Sequence, residues 1–267
     1  MGSAKLCVTV TADTTADLRR KRDEAVDADL IELRLDTVRD PSVPGALAGR
    51  RTPVIVTCRP TWEGGSFTGS EAERKAILSD ALDRGAEYVD IEARAAFGDL
   101  IARTGGRRIV LSMHDFTQVP DDLAAQVQAM RSTGAEIVKV AARTSRLADC
   151  VTLLDIGMQA ARQGGLVLIG MGPHGIATRV LASRFGSAWT YAGAIDAVGQ
   201  IDARTMLDEY QFRRLSESSD VYGLIGGAVT HSVSPAMHNA AFRSLRFDRC
   251  ASMRSICRFR RPTSTMS

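Results

Sequence analysis

No apolar run in this 267-residue chain approaches the roughly 20 residues a membrane-spanning helix needs, so no membrane association is expected. The N-terminus lacks a basic stretch followed by an apolar one, and no secretory signal is expected. Five cysteines (Cys7, Cys58, Cys150, Cys250 and Cys257) stand far apart without a CxxC pair. That spacing argues against a disulfide framework and a thiolate metal site, and it fits a reducing, cytoplasmic setting. No Gly-Lys-Ser/Thr follows Gly172 and Gly175, so these glycines do not form a phosphate loop. A one-sided charge is also missing from most of the chain. The formal net charge is +3, but Arg249, Arg254, Arg258, Arg260 and Arg261 crowd the last 19 residues, which hold no acid; without them it is −2. The body gives no electrostatic case for nucleic acid.

What is present is an ordinary soluble composition, 45% hydrophobic and 24% charged. Eight short strand-like runs recur at 6–11, 30–36, 53–59, 88–93, 108–115, 137–143, 166–172 and 189–196. Between them, stretches such as 15–26, 70–84, 121–132 and 146–162 carry helical apolar spacing. Asp121-Asp122 after Pro120 reads as a helix start, and Gly134 and Gly164 as stops. Eight β/α units in about 200 residues predict an α/β chain folded as a (β/α)8 barrel over 1–215. A doubly wound open sheet is the alternative. A helical stretch after Ile201 runs to about Leu215, and 216–220 reads as a polar linker. A short incomplete α/β segment follows at 221–248, too small to stand alone. Residues 249–267 lack periodicity and are expected to be disordered or held by a partner.

The most informative residue is Lys139, set inside the apolar run Ile137-Val138-Lys139-Val140-Ala141. A parallel strand buried on both faces is normally almost all Val, Ile and Leu. A lysine there suggests an amine desolvated for attack on a carbonyl. A barrel places chemistry at the C-terminal ends of its strands. Glu32, Arg34, Arg59, Glu92, His114, Lys139 and Arg143 all gather there. Taken singly, each has a plainer reading: Lys139 snorkelling to solvent, His114 as a structural histidine, the carboxylates and arginines as ion pairs bracing the barrel. His174 and His231 read as loop residues.

Over about 5–215 the chain resembles type I 3-dehydroquinate dehydratase, a Schiff-base enzyme. The matching pieces, in order, are Ile31-Glu32-Leu33-Arg34-Leu35-Asp36; Thr57-Cys58-Arg59 with Glu63-Gly64-Gly65; Asp90-Ile91-Glu92; Ser112-Met113-His114-Asp115-Phe116; Val138-Lys139-Val140-Ala141; Gly172, Gly175 and Arg179; Phe185-Gly186-Ser187; and Gly199-Gln200. The resemblance implies that Lys139 forms an imine with 3-dehydroquinate and that His114 moves the protons. Glu92 is expected to hold and polarise His114. Arg179 and Gln200 would take the substrate carboxylate, and Glu32, Arg34 and Arg59 its ring hydroxyls. The imine is the electron sink, so no metal and no diffusible cofactor is expected. The chain departs from the family at Asp196 and Val198 in the lid, where serine and proline are usual, and at Thr178, where serine is usual. Asp196 should therefore point away from a bound carboxylate or meet Arg179.

The second segment resembles the start of shikimate dehydrogenase. Tyr222-Gly223-Leu224-Ile225-Gly226 leads to Ser232-Val233-Ser234-Pro235-Ala236-Met237-His238-Asn239, where the resemblance makes Ser232 and Ser234 vestigial ligands of shikimate hydroxyls. It fades near Asp248, before any glycine-rich dinucleotide site. The expectation is a bifunctional chain cut early in its second domain, ending in a frameshifted or truncated tail and lacking dehydrogenase activity. Exposed apolar residues in 221–247 should then invite self-association or proteolysis. The expected partner is the small-molecule substrate, with a homodimer left open. Two rivals remain: an aldolase using the same imine chemistry, and a non-catalytic barrel binding similar ligands. An arginine tail that binds nucleic acid is a third.

Overall fold

A computed structural model describes residues 3–160, 163–194, 199–216, 219–224, 232–244 and 250–254. Eight strands rich in Val, Ile and Leu pair in parallel: β1 (Lys5–Val10), β2 (Leu30–Arg34), β3 (Val54–Thr57), β4 (Tyr88–Glu92), β5 (Ile109–Asp115), β6 (Ile137–Arg143), β7 (Leu166–Met171) and β8 (Trp189–Ala192). Their order is β7-β6-β5-β4-β3-β2-β1-β8. At the remaining seam the Ala188 N–H donates to the Leu166 carbonyl at 2.7 Å, and Ser187 Oγ accepts the Leu168 N–H at 2.9 Å. The sheet thus curls into a nearly closed (β/α)8 barrel, and the open-sheet alternative is set aside.

Each strand is followed by a helix: α1 (Thr15–Glu24), α2 (Val43–Leu47), α3 (Glu71–Asp83), α4 (Gly98–Thr104), α5 (Leu123–Ser132), α6 (Leu147–Ala160), α7 (Ile176–Val180) and α8 (Ala203–Asp208). The four helices read from periodicity are α1, α3, α5 and α6, with ends within two residues of the expected ones. Thr14 caps α1 by accepting the Asp17 N–H, and Ser70 with Glu73 forms a capping box on α3. Such caps are worth about 1 kcal/mol each. The helix expected as far as Leu215 stops at Asp208, because Gln211 adopts a left-handed φ of 53° and starts a separate turn.

Strand alternation builds two cores. One face of the strands packs Ile31, Leu33, Val54, Val56, Val138 and Val140 against the helices. The other fills the lower lumen with Leu30, Ile55, Val110, Ile137, Val167 and Trp189. Two residues further along five of these strands, the inward positions are Glu32, Thr57, Ser112, Lys139 and Tyr191, all buried. The lumen therefore changes from apolar to polar toward the C-terminal ends, and polarity is concentrated where the site forms.

Beyond the barrel, β9 (Asp220–Leu224), α9 (Ser234–Ser244) and β10 (Cys250–Arg254) form a parallel two-stranded unit. Part of the stretch read as an aperiodic tail, Cys250–Arg254, is thus a strand; the rest of 249–267 and His231 lie outside the described residues. The unit is tied to the barrel through buried Asn239. Its Nδ2 donates to the Glu209 carbonyl at 2.7 Å, and its own carbonyl accepts Gln211 Nε2 at 2.8 Å.

Candidate active site

At the C-terminal mouth of the barrel lies a cavity of about 290 Å³. Glu32, Arg34, Arg59, His114, Lys139, Arg179 and Gln200, all named from the sequence, line it together. Lys139, on β6, is only 5% exposed. Its Nζ donates to Asp90 Oδ2 at 2.9 Å, stands 3.6 Å from Glu32 Oε1, and lies 4.4 Å from the centre of the Tyr191 ring. The amine is hydrogen-bonded and not stranded among aliphatic side chains. Glu32 is fixed from both sides by the hydroxyls of Thr9 at 3.0 Å and Thr57 at 2.9 Å. Gln200 Nε2 reaches Thr9 Oγ1 at 3.2 Å, which ties this glutamine to the same row.

Beside the lysine runs a buried ionic network. Arg59 Nη2 is 2.9 Å from Asp90 Oδ1, and its Nη1 donates to Glu92 Oε1 at 2.7 Å and to Ser112 Oγ at 2.8 Å. Burial alone would raise the Asp90 carboxyl, but the charges of Arg59 and Lys139 outweigh it and hold it well below the usual carboxylate range. For Glu92 burial wins, helped by repulsion from Asp90, and its carboxyl is raised.

The carboxylate beside His114 is Glu63, not Glu92. Glu63 Oε1 accepts the His114 backbone N–H at 2.8 Å and lies 3.4 Å from Nδ1. Glu92 is committed instead to Arg59 and to Arg74 of α3, so the orienting role expected of it is corrected. Glu63 sits in the turn Thr61–Glu63 after β3, which has no strand or helix period to reveal it. The turn folds back because residue 65 is glycine: a Cβ there would lie 2.1 Å from the Arg59 carbonyl oxygen. Burial raises the Glu63 carboxyl, with the His114 N–H and the Arg59 charge opposing. His114 is pushed well below the ordinary imidazole range by burial and by the charges of Arg59 and Lys139. It is therefore a neutral imidazole at neutral pH, able to accept a proton. Phe116 stacks beside it, with ring centres 6.1 Å apart.

Arg34 is gripped by both oxygens of Asp36 at 2.8 and 2.7 Å, and Asp36 also accepts the Ser66 N–H at 3.1 Å. Arg179 arrives on α7. Gly175 permits this approach, since a Cβ there would lie 2.2 Å from the Gly170 carbonyl oxygen. Burial pulls the guanidinium of Arg179 down to about 10, so it still carries its charge at neutral pH. Asp196 and Val198, the lid departures, lie outside the described residues. Ser232 and Ser234 stand apart from the cavity at the start of α9, where Ser232 Oγ accepts the Ser234 N–H at 3.2 Å. Among the described residues no three His, Cys, Asp or Glu side chains are grouped to hold a metal ion, and no helix is long and apolar enough to cross a membrane.

Sequence reasoning passed over Asp90, Tyr191, Arg74 and the role of Glu63. Asp90 had a usable signal: it lies two residues before Glu92 and so on the same face of β4.

The family model described as type I 3-dehydroquinase matches residues 6–217. A bifunctional 3-dehydroquinate dehydratase/shikimate dehydrogenase of Arabidopsis thaliana is 34% identical over 260 residues, covering 91% of this chain and 43% of that protein. The chain therefore spans less than half of that relative. A 3-dehydroquinate dehydratase of Desulfotalea psychrophila is 33% identical over 218 residues, covering 77% of this chain and 96% of that protein. Among solved structures, a 3-dehydroquinate dehydratase from Geobacillus kaustophilus superposes with a TM-score of 0.68 at 29% identity, covering 76% of this chain and 88% of that one.

Proposed function

The chain belongs to the type I 3-dehydroquinase family, and from that premise we infer that its barrel dehydrates 3-dehydroquinate to 3-dehydroshikimate through an imine on Lys139. The observation that carries this reading is one cavity holding a buried lysine amine, a neutral histidine and a buried arginine. The Lys139 nitrogen attacks the substrate ketone, and water leaves as the C=N bond forms. The protonated imine draws electrons from the adjacent carbon. His114 takes that carbon's proton, giving an enamine. The electrons return, the β-hydroxyl departs, and the imidazolium gives it the proton it needs to leave as water. Hydrolysis of the conjugated imine frees the product and restores the amine. General acid–base help of this kind is typically worth about 10²–10⁴-fold.

The remaining residues position the substrate. Arg179 and Gln200 receive the carboxylate, the arginine through its two-pronged fork. Glu32 and Arg34 face the ring hydroxyls. Arg59 lines the cavity as well, but its bonds to Asp90, Glu92 and Ser112 make it first a brace. Glu63, through its contacts with His114, orients the imidazole. Buried free thiols at Cys7, Cys58 and Cys150 fit a reducing cytoplasm. A homodimer is proposed alongside, to be read by light scattering. The reading extends to neither dehydrogenase activity nor nucleic-acid binding.

The direct test follows the ultraviolet absorbance of the conjugated product after 3-dehydroquinate is added. Turnover that disappears in Lys139→Ala supports the reading. Tight substrate binding with no product would overturn it in favour of a binding barrel.

A further inference from the structure

We infer that Arg74, on a helix outside the barrel wall, is a positioning residue for Lys139 and acts through Glu92 and Arg59. This deepens the imine reading above and rests on it. An arginine on an outer helix ordinarily runs its head to solvent. Arg74 instead is fully buried. Its guanidinium lies 4.6 Å from the centre of the Phe97 ring and 5.7 Å from that of Trp62. Nη1 is hydrogen-bonded to Glu92 and approaches the Cys58 carbonyl at 3.5 Å, while Nη2 meets Glu71 at 2.6 Å. The group is clamped on its flat faces and along its edge.

What it reaches is one end of a row that alternates in sign. Arg74 holds one oxygen of Glu92, and Arg59 holds the other at 2.7 Å. Arg59 then meets one oxygen of Asp90 at 2.9 Å, and Lys139 meets the other at 2.9 Å. Each carboxylate is divided between two cations, so the geometry at each step depends on the next. If Arg74 is removed, Glu92 competes harder for Arg59. The grip of Arg59 on Asp90 loosens, and Asp90 turns more strongly to Lys139. Losing a nearby positive charge acts in the same direction, since it favours the protonated amine. A lysine that must shed a proton before attacking a ketone then does so only at higher pH. The other charged or titratable groups around it are Glu32 on β2, Arg59 just after β3, His114 on β5, Cys7 on β1 and Tyr191 on β8, none of them altered by the substitution.

The test is the pH dependence of borohydride trapping of the substrate on Lys139, in the full chain with saturating 3-dehydroquinate. Wild type, Arg74→Met, Arg74→Lys and the double variant Arg74→Met/Glu92→Gln are compared, each checked for fold by circular dichroism. Trapping of wild type establishes the imine itself. Failure there sinks the underlying reading before Arg74 is questioned. With wild type trapped, the alkaline rise in Arg74→Met is expected to move up by about one pH unit, so that trapping at neutral pH is about tenfold slower. The double variant, which removes both members of the end pair, is expected to bring the rise back toward wild type. A purely structural arginine would lower stability without moving the rise. If Arg74→Met does not fold, the same reading is taken on Arg74→Lys, which keeps the charge but loses the fork and is expected to shift by less. An unmoved rise in a folded Arg74 variant overturns the proposal. A shift that Glu92→Gln fails to reverse overturns the route through Glu92.

Discussion

Glu63 Oε1 accepts the His114 backbone N–H at 2.8 Å and stands 3.4 Å from its Nδ1. One carboxylate thus contacts both the main chain and the ring of the histidine proposed to move protons. Glu92 does something else: it balances two buried guanidiniums. The two acids should therefore fail in different ways. Glu63→Gln is expected to leave folding intact and lower kcat by up to about 10²-fold, the scale of a misplaced catalytic group. Glu92→Gln is expected to lower thermal stability more than Glu63→Gln does. Steady-state kinetics and melting curves on the two variants, side by side, separate the roles; equal losses of both kinds would merge them.

The pH dependence follows from His114. Its folded-state affinity for a proton is depressed by burial and by two nearby cations. The unfolded chain titrates near the ordinary value of about 6.5. Below that pH the unfolded state binds the proton first, so this histidine's contribution to stability is full above about 6.5 and is lost as pH falls toward its folded value. The acid limb of kcat/KM that belongs to His114 is expected below about 6.5 for the same reason. Melting curves of wild type and His114→Gln should diverge on acidification, with wild type losing more. Parallel curves would contradict the assignment.

Asp90 sits between Arg59 and Lys139, both nearly solvent-free. Asp90→Asn leaves two buried cations short of a counter-charge. Removing one partner from such a pair costs about 3–5 kcal/mol. Urea denaturation should show a midpoint lowered accordingly. A loss below about 1 kcal/mol would mean that the cations find other partners.

Asn239 hydrogen-bonds α9 to the barrel, beside Val221 of β9, which packs against the barrel core. Asn239→Ala removes a side-chain donor from the part-buried Glu209 carbonyl, at a cost of about 0.5–1.5 kcal/mol. Limited proteolysis should then cut within 216–250 faster, while turnover in the barrel stays at the wild-type rate. Tyr222, Val233 and Met237 are already exposed apolar groups on this unit. Unchanged cleavage would show that the unit is held by other contacts.

The barrel was readable because its strands are short apolar runs at regular spacing, and because four helices are long enough for a 3.6-residue period to repeat. α2, α4 and α7 were not, since five to seven residues give the period little room to repeat. Lys139 announced itself by breaking an apolar strand. Glu92 drew the orienting role because it ends a strand, while Glu63 lies in a turn where no periodicity marks it. Arg74 was invisible for a related reason: on a helix, an arginine looks the same in sequence whether it reaches solvent or threads inward to a carboxylate.

The measurement closest to the central claim is borohydride reduction in the presence of 3-dehydroquinate, read by intact mass and peptide mapping. The account predicts one reduced adduct, on the peptide carrying Lys139, absent from Lys139→Ala. No adduct on a folded protein, or an adduct on another lysine, would contradict it.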